Sequence, residues 1–103
     1  TTGWVVGWVG IILKTTDGGI TWNPQTSGTF QDLHLVFFID ATTGWVGGTG
    51  GTIRKTTDGG NSWNFQISGT IEFLNSVYFT DANTGWAVGT GGIIVHTTDG
   101  GGQ

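Results

Sequence analysis

Thr15-Thr16-Asp17-Gly18-Gly19-Ile20-Thr21-Trp22 returns as Thr56-Thr57-Asp58-Gly59-Gly60-Asn61-Ser62-Trp63 and begins again as Thr97-Thr98-Asp99-Gly100-Gly101, each time 41 residues further along. A fixed period of this size marks a chain assembled from copies of one supersecondary unit. A β unit of about 40 residues fits a propeller blade better than any helical repeat. Residues 2–42 and 43–83 share 24 of 41 positions, and the identities fall on turns, tryptophans and inward strand positions. Repetition there is architecture, so function is sought where the copies differ.

The repeated motif has a physical reading of its own. Asp followed by two glycines favours a turn, because the carboxylate accepts hydrogen bonds from backbone N–H groups ahead of it and glycine reaches positive φ freely. The threonine two residues earlier offers a hydroxyl to the same turn. Trp22 and Trp63, five residues past each Asp, are placed to fold back under the hairpin. Each carries roughly 150–250 Å² of area, worth ~4–6 kcal/mol at most if fully buried. The motif is expected to staple a hairpin to the core.

This pattern resembles the Asp-box of sialidase, glycoside hydrolase and sortilin-like blades. Thr15, Asp17, Gly19, Thr21 and Trp22 form one copy, Thr56, Asp58, Gly60, Ser62 and Trp63 a second, and Thr97, Asp99 and Gly101 a shortened third. A longer repeat surrounds it: Val36, Phe38, Asp40-Ala41 and Thr43-Gly44-Trp45 recur as Val77, Phe79, Asp81-Ala82 and Thr84-Gly85-Trp86, with a Gly-x-Ile before each Asp-box. That longer pattern is similar to the propellers related to the photosystem II assembly and stability factor. The resemblance covers nearly the whole chain and implies a blade type. Relatives of this kind also occur in secreted bacterial proteins.

Composition narrows the class. Of 103 residues, 21 are glycine and 13% aromatic, six of them Trp, while only 10% are charged. No long apolar run is present, which excludes a helical bundle, a coiled coil and a transmembrane helix. The net charge of −4, with three Lys and Arg in all, makes nucleic acid a poor partner, since phosphate neutralisation needs clustered cations. The absence of cysteine removes disulfides and thiolate chemistry. The chain also lacks methionine and any visible signal peptide, so it is expected to be trimmed or part of a longer polypeptide.

Taken in order, each repeat reads as a four-stranded antiparallel blade: an innermost strand in which Leu33, Val36 and Phe38 repeat as Leu74, Val77 and Phe79, a strand through Thr-Gly-Trp, a glycine hairpin tip, a β-branched third strand and an outer strand ending at Ser-Gly. Pro24 suits that outer edge. The expected division is 1–30, a partial blade with strands two to four; 31–71, a complete blade; and 72–103, a partial blade with strands one to three. About two and a half blades are present. Simple head-to-tail closure would leave six strands where four belong, so further copies of the repeat, in the same chain or in an assembly, are expected as partners. His96 replaces Lys14 and Lys55 on the third strand and is read as a solvated face position.

The tips and the blade-to-blade crossovers share one rim of a propeller, usually its binding face. Candidate ligand-contacting residues there are Trp8, where the other copies have Thr49 and Thr90, and the crossover residues Phe30, Gln31, Asp32, His34 and Phe73. Trp8 would stack on a sugar ring or anchor a peptide, or else pack on a neighbouring blade or chain. Asp32 with His34 is too small a set for proton transfer or zinc. The repeated Asp residues lack the alternating oxygens of a calcium loop and the paired acids of a glycosidase, and Asp40 and Asp81 read as turn caps. No catalytic residue, metal or cofactor is assigned. The leading expectation is a non-enzymatic binding or structural module of an extracellular or cell-surface protein, with the periplasm and the thylakoid lumen as other settings, and with a protein or glycan ligand. The alternatives are a fragment of a sialidase-type hydrolase, which the lone Arg54 disfavours, and a photosystem II assembly factor, for which a basic surface would be expected.

Overall fold

The computed structural model describes residues 1–99, and Gly101 of the third motif lies outside the described residues. Among the described residues ten short strands form three antiparallel sheets. The first is ordered β1 (Gly3–Val6), β2 (Ile12–Thr15), β3 (Asn23–Gln25); the second is β4 (Leu33–Phe38), β5 (Gly44–Gly48), β6 (Ile53–Thr56), β7 (Asn64–Gln66); the third is β8 (Leu74–Phe79), β9 (Gly85–Gly89), β10 (Ile94–Thr97). The chain is therefore all-β and a partial propeller, with one four-stranded blade between two three-stranded sheets. No helix among the described residues is long and apolar enough to cross a membrane.

The outer strand stops short of the expected Ser27-Gly28 end, because the chain leaves the ladder after Gln25. Thr29 N–H turns back to the Ser27 hydroxyl at 3.4 Å, and Gly28 takes φ +82°. The innermost strand also departs from simple alternation. Leu33 pairs with Gly48 and Leu35 with Gly47, so His34 is an extra residue in β4, as Asn75 is in β8. Such a bulge resets which side chains face which way. Leu33, Val36 and Phe38 thereby share the face that meets the first sheet, while Leu35, Phe37 and Ile39 face the third.

Two aromatic stacks join the three sheets. Trp4 lies on Phe38 with ring centroids 3.6 Å apart and planes 10° from parallel, and Trp45 lies on Phe79 at 3.6 Å and 6°. Each phenylalanine lies over the glycine opposite it: a Cβ on Gly44 would sit 2.5 Å from the Phe38 ring, and one on Gly85 2.4 Å from Phe79. The Gly-Trp pair thus does two jobs, its glycine seating a ring from its own blade and its tryptophan covering the corresponding ring in the next.

The lysines follow the same plan. Lys14 Nζ lies 5.7 Å from the Trp4 ring and donates to the Gly59 carbonyl at 2.7 Å, tying the first sheet to the second. Lys55 repeats this over Trp45 at 5.4 Å and reaches the Ala82 carbonyl at 3.2 Å. Both lysines are half-buried; His96 is exposed and stacks on Trp86.

The two complete motifs do not bury their tryptophans alike. Trp63 is buried among Ile12, Leu33 and Val46, with the Phe38 ring edge-on at 5.9 Å. Trp22 is exposed, against the expectation that both staple the core. Its seat would require a preceding sheet and an innermost strand beside β1, and the described residues supply neither. Trp45→Ala and Trp63→Ala are each expected to cost ~3–5 kcal/mol as large-to-small core changes, whereas Trp22→Ala should cost about 1 kcal/mol or less. Urea midpoints of the three variants check this ranking, and equal shifts for Trp22 and Trp63 would contradict it.

Candidate protein-binding rim

In each antiparallel meander the tips and the Asp-Gly hairpins fall at opposite ends of the strands. The Asp-Gly end is closed on itself. Thr15 Oγ1 donates to Asp17 Oδ1 at 2.7 Å and accepts from Gly19 N–H at 3.0 Å, while Thr21 N–H and Oγ1 donate to Asp17 Oδ1 and Oδ2 at 2.9 and 2.6 Å. Thr56, Asp58, Gly60 and Ser62 repeat this with distances of 2.6–2.9 Å. In the third copy Thr97 Oγ1 reaches Asp99 Oδ1 at 2.7 Å. In the two complete copies both carboxylate oxygens are engaged by donors of the same turn. Asp40 and Asp81 cap their turns, each Oδ1 accepting two backbone N–H groups at 2.8 Å, from Thr42 and Thr43 and from Asn83 and Thr84. Among the described residues no group of three or more His, Cys, Asp or Glu stands close enough to hold a metal.

These donors stabilise the ionised carboxylates. The Ser62 hydroxyl first, then the Ser62 N–H and the Thr56 hydroxyl, hold Asp58 down to about 2, below its ordinary 3.8. The Thr21 hydroxyl and N–H and the Thr15 hydroxyl hold Asp17 lower still. The backbone N–H of Thr42 lowers Asp40, and that of Asn83 lowers Asp81.

At the other end, tight 3₁₀ turns form the tips Trp8–Gly10, Thr49–Gly51 and Thr90–Gly92, and the blade-to-blade crossovers bind them. Asp32 Oδ1 accepts from Val9 N–H at 2.9 Å, and Leu33 N–H donates to the Gly7 carbonyl at 2.9 Å. Thr49 donates through N–H to the Asp32 carbonyl and through Oγ1 to Gln31 Oε1, at 3.1 and 2.9 Å. Thr90 does the same to the Phe73 carbonyl and the Glu72 carboxylate, both at 3.0 Å. Tips and crossovers thus make one continuous rim across the three sheets.

The six rim candidates sort into two groups on this surface. Gln31 and Asp32 spend polar atoms on the tips, and His34 stacks on the half-buried Phe73 ring at 4.3 Å, joining the first crossover to the second. Asp32 and His34 are therefore engaged with different partners. Trp8 and Phe30, by contrast, project into solvent at 77% and 88% exposure. Ile71, which occupies the repeat position of Phe30, is 86% exposed and was not singled out by sequence, although its repeat position was the available signal. Val9 was missed as well. It takes φ +59° where the other copies have Gly50 and Gly91, a conformation costly for a β-branched residue, and the Asp32 hydrogen bond holds it there.

The model of a family described as photosynthesis system II assembly factor YCF48 matches residues 28–103. No curated protein sequence matches the chain. A solved structure of YCF48 bound to D1 peptide superposes with a TM-score of 0.84 at 28% identity, over 99% of this chain and 34% of that one. The chain thus spans about a third of that protein's length.

The lowered carboxylates set an acid limit on stability. A folded-state value below the unfolded one contributes stability that is present above the unfolded value and lost as pH falls through the folded one. For Asp58 that window runs from the ordinary 3.8 down to about 2. The urea midpoint is expected to fall between about pH 4 and pH 2, and Asp17→Asn with Asp58→Asn should flatten the fall. A midpoint independent of pH across that interval in the unaltered chain would contradict the assignment.

Proposed function

The chain belongs to the photosynthesis system II assembly factor YCF48 family, and we propose on that premise that it is a non-enzymatic propeller segment that holds an extended stretch of a photosystem II protein against its tip-and-crossover rim. The carrying observation is the division of labour on that rim. Its polar side chains are consumed in fixing the loops, while Trp8, Phe30 and Ile71 stand exposed on the rigid backbone so formed. Exposed aromatic and aliphatic anchors on a pre-organised surface are what a peptide partner needs, because little ordering cost remains to be met on binding. That a relative covering this whole chain binds D1 peptide supports a protein ligand over a glycan.

Trp8 and Phe30 act as side-chain anchors in this reading. Asp32 and Gln31 position the tips, and the His34–Phe73 stack keeps adjacent crossovers in register. The Asp-Gly motifs are structural, and catalysis has no part in the mechanism. The family also favours the thylakoid lumen over an extracellular surface as the working compartment.

Fluorescence anisotropy of a labelled D1 peptide with the whole chain tests the proposal. Trp8→Ser and Phe30→Ser are each expected to weaken binding about tenfold, equivalent to ~1.4 kcal/mol, with the urea midpoint unchanged. Affinity that survives both substitutions together would sink the rim as the site.

A further inference from the structure

Each repeat places a glycine directly after the motif aspartate. Asp17, Asp58 and Asp99 precede glycine, whereas Asp32, Asp40 and Asp81 precede Leu or Ala. Asp-Gly is the pair in which an aspartyl side chain closes most readily on the main chain, because no side chain hinders the attacking glycine nitrogen. That nitrogen bonds to the carboxyl carbon and gives up its proton, and the carboxyl hydroxyl leaves, together as water; the product is a five-membered succinimide. Water then opens the ring at either carbonyl, to Asp or to isoaspartate, in which the main chain runs through the side-chain methylene. The turn cannot evade this by changing its second residue. Gly18 has φ +74° and Gly59 φ +76°, values that a side chain disfavours.

The hydrogen bonds of the motif oppose each requirement of that step. Asp58 Oδ1 accepts from Thr56 Oγ1 at 2.8 Å and from Ser62 N–H at 2.9 Å, and Oδ2 accepts from Ser62 Oγ at 2.6 Å. Swinging the carboxyl carbon onto the Gly59 nitrogen breaks these bonds together. The same donors favour the ionised carboxylate, which has no hydroxyl to release. The attacking nitrogen is held as well: Gly59 N–H donates to the Thr42 carbonyl at 3.0 Å, and Gly18 N–H to the Thr1 carbonyl at 3.1 Å. Thr15 and Thr21 grip Asp17 as Thr56 and Ser62 grip Asp58. We propose that Asp17 and Asp58 are latent isoaspartate sites, and that the hydroxyl and amide donors of each motif keep them unreacted. An isoaspartate at position 58 adds a methylene to the main chain between β6 and Trp63, and so draws that indole away from Ile12, Leu33 and Val46. The donors thus guard the covalent integrity of a turn on which a core tryptophan depends.

Labelling with an isoaspartyl methyltransferase, followed by peptide mapping to separate the two sites, tests this on the whole chain kept folded at neutral pH and on the same chain unfolded in urea. Isoaspartate is expected to accumulate at both sites in urea and to lag far behind at both in the folded chain. Ser62→Ala removes the hydroxyl on Asp58 Oδ2 and should raise the rate at Asp58 alone by about tenfold, the low end for one hydrogen bond to a charged group. Thr21→Ala should do the same at Asp17 alone. The untouched site in each variant is the reference, because a variant that merely unfolds more often raises both. A folded chain that isomerises as fast as the unfolded one, a rate at Asp58 unmoved by Ser62→Ala, or equal rises at Asp17 and Asp58 would each overturn the proposal.

Discussion

A three-layer contact holds this chain together: a tryptophan of one blade, a phenylalanine of the next, and the glycine backbone beneath that phenylalanine. The sheets themselves are weak objects, with strands of three to six residues and two edge strands each, and isolated sheets of this kind are marginal in water. Stability comes from stacking sheet on sheet. At each of the two junctions a pair of rings at 3.6 Å removes both faces from water and gains about 0.5–1.5 kcal/mol beyond the area they bury. The glycine is as necessary as the rings. A side chain at Gly44 or Gly85 would occupy the space in which the phenylalanine lies.

The candidate site depends on that constraint. Because the stacks fix the spacing between blades, the crossovers at Gln31–Asp32 and Glu72–Phe73 lie within hydrogen-bonding distance of the tips of neighbouring hairpins. Loop polarity is thereby absorbed by the scaffold, and the exposed apolar side chains stand on a surface that does not need to reorganise. The opposite end differs in kind. Its aspartates are saturated by their own turns and offer little to a ligand.

Much of this was legible in the sequence, for a specific reason. A period of 41 residues states which residues are equivalent, and turn chemistry at Asp-Gly-Gly and Ser-Gly locates the ends of the strands. Strand order, tips and crossovers follow from those two facts. Context within the repeat was not legible. Trp22 and Trp63 occupy the same repeat position, yet among the described residues only Trp63 has a neighbouring sheet to cover it. The bulges at His34 and Asn75 were hidden too, since strict alternation would place Leu33 and Val36 on opposite faces. The role of Lys14 and Lys55 was hidden as well, because their aliphatic stems and ammonium groups serve an inter-blade contact that no local pattern reports. On the rim the sequence located the loops, but which side chains bind their own backbone and which point outward depends on neighbouring blades.

The account stands or falls on the inter-blade stack, and a double-mutant cycle on Trp45 and Phe79 measures it directly. With Trp45→Ala, Phe79→Ala and the double variant unfolded in urea, the account predicts that the two losses are not additive. The coupling should be about 0.5–1.5 kcal/mol, the range for a stacked aromatic pair. Additive losses would show that the two rings are buried independently, and would contradict the claim that their contact holds the blades together.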